Sequence, residues 1–511
     1  MTPAPEYKFV TFGSDEGDFQ PANKSIRSHA IRTAIQRGSS EMGANTALTS
    51  QDTIKLKAQL KGRFRLSGTS SRPSTGKSTK AQKKQAALDP RYLSAAPEVM
   101  SNLSLPPWVQ RLGSDNADPF NTLPIPSNSA VDSLVKYFIT RFNLNSTTTD
   151  TQRPWFPYAM QSALIMRVTL ALAAEFLNAT MPLLNPRLQR EGYQLKGEAM
   201  KMIRNRLESQ ESAWSASEDL SVLAGVAMLG SVEAFQGHFT AANVHLTGLH
   251  AMIEARGGPD TIKHDYILCR CINWIDIQVA SGLGRVPKFP MFHTLDQVSL
   301  PSSVVSRAMT PSLRHMDKLG GHNPGESNEP RKIFTTLRQA ICSQAGSVSA
   351  DTIRIVMNTA DSTILHFLYV ERRTATPVQK RFLVLVSAAQ VFLYTVLREI
   401  PTTGHMVRTL VTRMRAALDD ADSIALIWVS HDAALLWVLF VGIVGSGTSE
   451  DREWFSSRLK KVLQRARDIL PPERCRREHL QQVLAGFLWR DKYCLPVLDE
   501  IWASWEGSGV T

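Results

Sequence analysis

Cysteines and histidines are the residues of this sequence whose types suit metal binding. The five cysteines are Cys269, Cys271, Cys342, Cys475 and Cys494. Cys269 and Cys271 lie in the apolar run "DYILCRCINWIDIQ" with no second pair near them, which favours core thiols over a zinc site. His238, His245 and His250 are separated by seven and five residues, a spacing that does not place all three on one helix face. We therefore expect no metal site.

Phosphate-binding and catalytic motifs are the next candidates for chemistry. "STGKST" contains Gly76-Lys77, but a nucleotide-binding loop needs another glycine five residues earlier, where Ser71 stands. No nucleophile elbow, His-Glu-x-x-His motif or dinucleotide glycine fingerprint occurs in the sequence. The sequence therefore predicts no catalytic residues and no cofactor, and we expect the protein not to be an enzyme.

The net charge of +12 is concentrated near the N-terminus. Between Phe19 and Leu88 lie 14 of the 58 basic residues but only two of the 46 acidic ones, so that the remaining positions carry 44 of each sign. Cations on a polar, low-complexity tail are typical of nuclear import signals and of phosphate contacts, although a solvated linker has the same composition. The candidate residues are Lys55, Lys57, Lys61, Arg63, Arg65, Lys77, Lys80, Lys83 and Lys84.

Hydrophobic periodicity divides the chain into three parts. Residues 1–90, rich in Ser, Thr, Gly and Lys, are expected to form a disordered basic N-terminal region, followed by a linker over 91–117. From 118 to 507, apolar residues recur at helical spacing and strand alternation is missing, which predicts an all-α domain with a long loop at about 299–331. The expected core residues are Leu246, Leu249, Ile253, Trp274, Leu436, Trp437 and Trp489.

Two stretches of this helical part invite more specific interpretations. "HLTGLHAMIEARGG" ends in Arg256, Gly257 and Gly258 before Pro259, and we interpret it as the end of a helix rather than an RNA-binding segment. "AALLWVLFVGIVG" spans only 13 residues, whereas a membrane span needs about 20, so it predicts a buried helix and no membrane partner.

Several stretches of the chain resemble the fungal-specific transcription factor domain, a large all-helical regulatory region that usually follows a zinc-cluster DNA-binding module. The matching stretches are "HLTGLHAMIEARGG", "INWIDIQVASGLGRVPKFP", "LLWVLFVGIVG", "DREWFSSRLKKVL" and "GFLWRDKYCLPVLDEIW", and "FVTF", "IRSHAIR" and "DPFNTLPI" are similar to one subgroup of the family. The resemblance implies a nuclear protein that regulates transcription.

The cysteines depart from the pattern of that family. A zinc cluster holds two Zn²⁺ ions with six closely spaced cysteines, whereas none of the five here precedes Cys269. We therefore expect a subgroup without this module, which acts through a helical partner-binding or ligand-binding domain. The expected partners are the transcription machinery or other regulators, with non-specific nucleic-acid contact through the tail; the oligomeric state is left open.

A small-molecule binding protein or an enzyme with a pocket in the helical domain is the alternative. A cavity lined by converging buried polar groups would favour that alternative, and an apolar cavity would favour the regulator.

Overall fold

The structure is a computed structural model. All the residues that it describes lie within the compact unit 102–511. The described residues are 122–141, 155–181, 186–208, 216–309, 319, 328–346, 348–370, 376–419, 428, 431–469 and 476–506. The predicted disordered tail and linker, with the nine basic candidate residues, lie outside these ranges.

All the regular secondary structure in the described part of the chain is helical, and none of its residues forms a strand. The predicted all-α fold is therefore confirmed. The helices up to the expected long loop are α1 (Ser129–Arg141), α2 (Trp155–Ala159), α3 (Ala163–Thr180), α4 (Pro186–Glu208), α5 (Ala216–Phe235), α6 (Phe239–Glu254) and α7 (Tyr266–Leu283). The later helices are α8 (Ser302–Ala308), α9 (Asn328–Gln344), α10 (Ala350–Tyr369), α11 (Pro377–Phe392), α12 (His405–Asp419), α13 (Asp432–Gly445), α14 (Ser449–Ile469), α15 (Arg477–Ala485) and α16 (Asp491–Glu506).

Local capping residues fix where the central helices begin and end. The side chain of Asp265 accepts a hydrogen bond from the backbone N–H of Leu268 at 2.9 Å and so caps α7. That helix ends at Gly284, whose left-handed backbone (φ 72°) suits glycine. Helix α11 begins with a capping box formed by Thr376 and Gln379.

Helix α7 connects two groups of helices. In the first group, α3 packs against α1, α4 and α5, and α5 packs against α6. In the second group, α11 packs against α10, α12 and α13, and α13 packs against α14. Helix α7 contacts α5 and α6 on one side and α10 and α12 on the other. Because of this position, every residue from Leu268 to Gly282 is buried.

Glycines allow close approach at several helix contacts. A Cβ atom at Gly442 of α13 would lie 2.4 Å from the Phe455 ring of α14, and a Cβ atom at Gly192 of α4 would lie 2.6 Å from Ala174 Cβ of α3. Real Cβ atoms do not approach that closely. A larger side chain at either position would therefore push the two helices apart.

The helix end predicted for "HLTGLHAMIEARGG" is confirmed. Leu246, Leu249 and Ile253 are fully buried on one side of α6. The backbone N–H of Gly258 donates to the Ile253 carbonyl at 3.0 Å, and the positive φ of Gly258 (91°) permits this reversal. The glycines therefore end the helix.

Two sequence predictions differ from the structure. The segment 299–331 is not a continuous loop, because α8 forms within it and α9 already begins at Asn328. Helix α8 buries Val304 and Ala308, but its seven residues are too short to show clear helical periodicity. Trp489 is half-buried in the turn between α15 and α16, where it stacks on Phe440 and donates to Asp491. The other six expected core residues are buried.

Two helical runs, Ala163–Thr180 and Pro377–Leu397, are long and apolar enough to cross a membrane by length and composition. In this fold 67% of the first run and 83% of an 18-residue window of the second run are buried. The apolar run of α13, from Ala434 to Ile443, is also buried in the core, as predicted. Packing against other helices accounts for the apolar character of all three.

Trp437 provides a test of this core. Its side chain is fully buried, its ring lies 5.3 Å from that of Phe334 and 5.4 Å from that of Phe487, and its Nε1 donates to the Leu488 carbonyl at 3.1 Å. We expect Trp437→Ala to lower the free energy of unfolding by about 3 to 5 kcal/mol, because it leaves a cavity and an unpaired carbonyl. Urea unfolding measures this loss, with the exposed Val244→Ala as a control that should stay near the parent. An unchanged midpoint for Trp437→Ala would contradict this packing.

Candidate functional site: a buried polar network and a surface cleft

An ion pair lies in the core between α10 and the segment after α11. Nη2 of Arg398 is 3.0 Å from Oδ2 of Asp361, and both side chains are fully buried. The same nitrogen donates to Oδ1 of Asn358 at 3.0 Å. The guanidinium carbon of Arg398 also lies 4.7 Å from the centroid of the Trp274 ring on α7, a cation–π contact. Asp361, Asn358 and Trp274 thus surround one buried cation.

Hydrogen bonds extend this ion pair to α7 and α11. The hydroxyl groups of Tyr394 and Ser281 are 2.8 Å apart, and Nε2 of Gln390 donates to Oγ of Ser281 at 3.2 Å. Burial raises the pKa of Asp361 to about 6, and the opposing effects of Arg398, Tyr394 and Gln390 limit that rise. Asp361 is therefore mainly ionised at pH 7, and its charge is balanced by Arg398.

An unusual backbone places Arg398 in the core. A π-helical turn, Leu393–Leu397, follows α11, and the N–H of Arg398 donates to the Leu393 carbonyl at 2.9 Å. The next residue, Glu399, is the only described non-glycine residue with positive φ, at 54°. Its carboxylate accepts from Nζ of Lys492 at 3.2 Å. Arg398 contacts α10 in the core and Glu399 contacts α16 at the surface, so both helices hold this turn.

Side chains of α7 also hold the loop that follows it. Oδ1 and Oδ2 of Asp276 accept from the backbone N–H groups of Lys288 and Phe289 at 2.9 and 2.6 Å. Nδ2 of Asn273 donates to the Pro290 carbonyl at 2.8 Å. Burial raises the pKa of Asp276, and the two backbone N–H groups oppose that rise. The stretch "INWIDIQVASGLGRVPKFP" therefore consists of most of α7 and the loop after it, and polar side chains of α7 fix that loop.

The chemistry of this network follows from its burial. Asp361, Arg398, Asn358 and Gln390 are all buried, and their polar groups face one another. Such a cluster fixes the relative positions of helices, because a buried charge that loses its partner is strongly unfavourable. A substrate has no access to these groups, so we assign them a positioning role.

A surface cleft of about 580 Å³ lies at the N-terminal ends of α3 and α7. It is lined by Tyr158, Gln161, Ser162, Leu164, Met202, Arg206, Leu220, Ser221, Val222 and Asp265. The Tyr158 hydroxyl is neutral at pH 7, and burial raises its pKa further above the ordinary value. Ser162 and Asp265 also cap helices, and their oxygens accept from Ile165 and Leu268. The lining is neither purely apolar nor a convergence of buried titratable groups.

The sequence-predicted candidates are not brought together. Cys269 and Cys271 are core residues of α7, as predicted, and burial raises the pKa of each thiol to about 12. His238 contacts Glu233 and His250 lies against Phe289, away from each other. Within the described ranges no group of His, Cys, Asp or Glu residues is arranged to hold a metal ion. The basic residues from Lys55 to Lys84 lie outside those ranges.

Sequence reasoning missed the buried network. The signals were single charged residues in apolar surroundings: Asp361 within "MNTADSTILHFL" and Arg398 at the end of "VFLYTVLREI". Such residues are rarely buried unless they are paired. Their partnership is not visible in the sequence, because 37 residues separate them.

These features define a large all-helical domain whose core depends on buried polar contacts and whose described residues hold no recognisable catalytic group. The family model described as fungal specific transcription factor domain matches residues 133–471. The chain belongs to this family of transcription regulators. No curated protein and no solved structure matches it.

A double-mutant cycle tests the ion pair. Arg398→Met leaves a buried carboxylate without its cation, and Asp361→Leu leaves the reverse, so each single change is expected to lower the free energy of unfolding by about 3 to 5 kcal/mol. The double variant removes both charges and is expected to lose less than the sum of the two singles. Urea unfolding of the four proteins measures this coupling. Strictly additive losses would show that the pair does not act as a unit.

Proposed function

We propose that the chain regulates transcription in the nucleus through its helical domain, which binds partner proteins or a ligand. The observation that carries the proposal is the family match over 133–471, which covers most of the described helices. We also propose that it reads no DNA sequence through a zinc cluster of its own. The five cysteines of the 511 residues all lie at or after Cys269, without the six closely spaced thiolates that such a cluster uses.

The buried network supports a non-enzymatic role. The charged and polar groups around Asp361 and Arg398 are enclosed between helices and do not line the cleft. The cleft itself favours small-molecule binding as a second candidate, because its volume of about 580 Å³ falls within the usual range of ligand sites. Whether it binds a partner protein or a small molecule, the helical domain would act as a binding module.

A reporter assay tests the regulatory function. The full chain is fused to an unrelated DNA-binding domain, and expression of a gene downstream of the matching DNA site is measured. We expect expression to change at least threefold, in either direction, relative to the DNA-binding domain alone. The control is the same fusion carrying Trp437→Ala, which should lose the effect because it disrupts the core. An intact, nuclear fusion without any effect on expression would contradict the proposal.

The basic runs of the tail are predicted to act as the nuclear import signal. Replacing the nine candidate residues, which are all the lysines and arginines from Lys55 to Lys84 except Arg72, with glutamine removes nine positive charges from two short runs. Import receptors recognise such runs. We expect a fluorescently tagged full-length variant to lose its nuclear concentration. The matched control replaces Lys24, Arg27, Arg32 and Arg37 with glutamine and should remain nuclear. Nuclear concentration of the nine-residue variant would exclude these runs as the signal.

Nucleic-acid contact through this tail is proposed to be electrostatic. The positions outside Phe19 to Leu88 carry equal numbers of basic and acidic residues, so the net positive charge that attracts phosphates lies in the tail. If about five phosphates are contacted, log K should fall with log salt at a slope of about −4 to −5 for any duplex sequence. A salt series with two unrelated duplexes measures this slope. Sequence-selective binding that survives removal of residues 1–90 would show that another region reads DNA.

A further inference from the structure

Helix α4 carries an exposed apolar stripe on the side that faces away from the core. Tyr193, Met200 and Leu207 are 51%, 44% and 53% exposed, and Gly197 is exposed between the first two. At 100° per residue, these four positions fall within about 80° of one another around the helix axis. The buried residues Leu195, Ala199 and Ile203 lie on the other side, against the core. The four exposed residues are the α4 stripe.

Gly197 is the unusual member of this stripe. A glycine in the interior of a helix costs about 0.5 to 1 kcal/mol relative to alanine. Gly192 of the same helix is explained by its contact with Ala174, but a Cβ atom at Gly197 would meet no atom within 4 Å. The described fold therefore gives no packing reason for glycine at 197. A second backbone that crosses the helix closely at this point would give one.

The charges beside the stripe indicate what would cross it. Arg190, Lys201 and Arg204 are exposed on the same side of α4, together with the single carboxylate of Glu208, so the exposed charged residues there carry a net charge of +2. The ion pairs of α4 in the described structure involve other side chains, Glu198 with Arg167 and Lys196 with Glu233. Three cations around an apolar strip favour a partner with carboxylates around its own apolar strip.

We propose that the α4 stripe is a docking surface for an acidic amphipathic helix of a partner protein. Tyr193 and Met200 would provide apolar contact area, and methionine adapts to different partner shapes. Gly197 would let the partner helix approach closely, and Arg190, Lys201 and Arg204 would face its carboxylates. A second copy of this chain suits the surface less well, because it would bring two cationic strips together. The inference rests on the proposed function, since it names the partner class of that binding domain.

The test uses the purified full chain and a fluorescein-labelled 20-residue helical peptide. The peptide carries Leu at positions i, i+3, i+7 and i+10 with Glu at the flanking positions, and a matched peptide has Lys in place of every Glu. Fluorescence anisotropy measures both affinities. We expect the Glu peptide to bind at least tenfold more tightly than the Lys peptide. Equal affinities, or no binding of the Glu peptide, would overturn the proposal.

Gly197→Gln is the decisive variant, because it adds bulk to the stripe where the protein itself has open space. We expect it to weaken binding of the Glu peptide at least tenfold and to leave the melting temperature unchanged or higher. Gly248→Gln is the matched control, since Gly248 is another exposed helical glycine with no atom within 4 Å of its Cβ position. This control should bind the peptide as the parent does.

Other occupants of the stripe give different results. If another part of this chain covers the α4 stripe, Gly197→Gln will lower the melting temperature. If a second copy covers the stripe, the variant will have a different molecular mass in analytical ultracentrifugation. Either result overturns the proposal. Peptide binding is independent of the reporter assay. If the Glu peptide does not bind but the reporter responds, the docking surface alone is refuted. If the Glu peptide binds but the reporter does not respond, the proposed function alone is refuted.

Discussion

The buried charge of Arg398 is the constraint on which the centre of this fold depends. A guanidinium group in the core must be surrounded by acceptors, since an isolated buried charge is highly unfavourable. Asp361 and Asn358 on α10 provide the acceptors, and Trp274 on α7 covers the guanidinium plane. The π-helical turn and the positive φ of Glu399 place the arginine there. One cation thus fixes α7, α10 and the end of α11 relative to one another.

Helical periodicity made much of the fold predictable from the sequence. The burial of Leu246, Leu249 and Ile253 follows from their spacing on α6, and the glycines after them mark its end. Helix α8 was missed because seven residues complete only about two turns. The predicted burial of Trp489 is wrong because this tryptophan lies in the turn between two helices and not within an apolar helix.

Long-range contacts limited prediction of the candidate site. Ser281 and Tyr394 form one hydrogen bond across 113 residues, and neither has a local pattern that marks it. The cleft is likewise assembled from four segments, which include Tyr158, Arg206 and Asp265. The α4 stripe is apparent only from the exposure of its residues in the structure. In the sequence, its three apolar residues stand among many charged ones and form no clear pattern. Tertiary packing supplies this information, and periodicity does not.

Helix α7 has a consequence for how the domain responds to whatever it binds. Its buried run from Leu268 to Gly282 contacts both helix groups, and Asp276 holds the backbone of Lys288 and Phe289. Close-packed interiors resist continuous deformation, so neither helix group can shift against α7 without changing how α7 packs. A displacement of α5 would therefore shift α10 and the loop after α7 together. Through α7, the packing of the first helix group is therefore tied to the packing of the second.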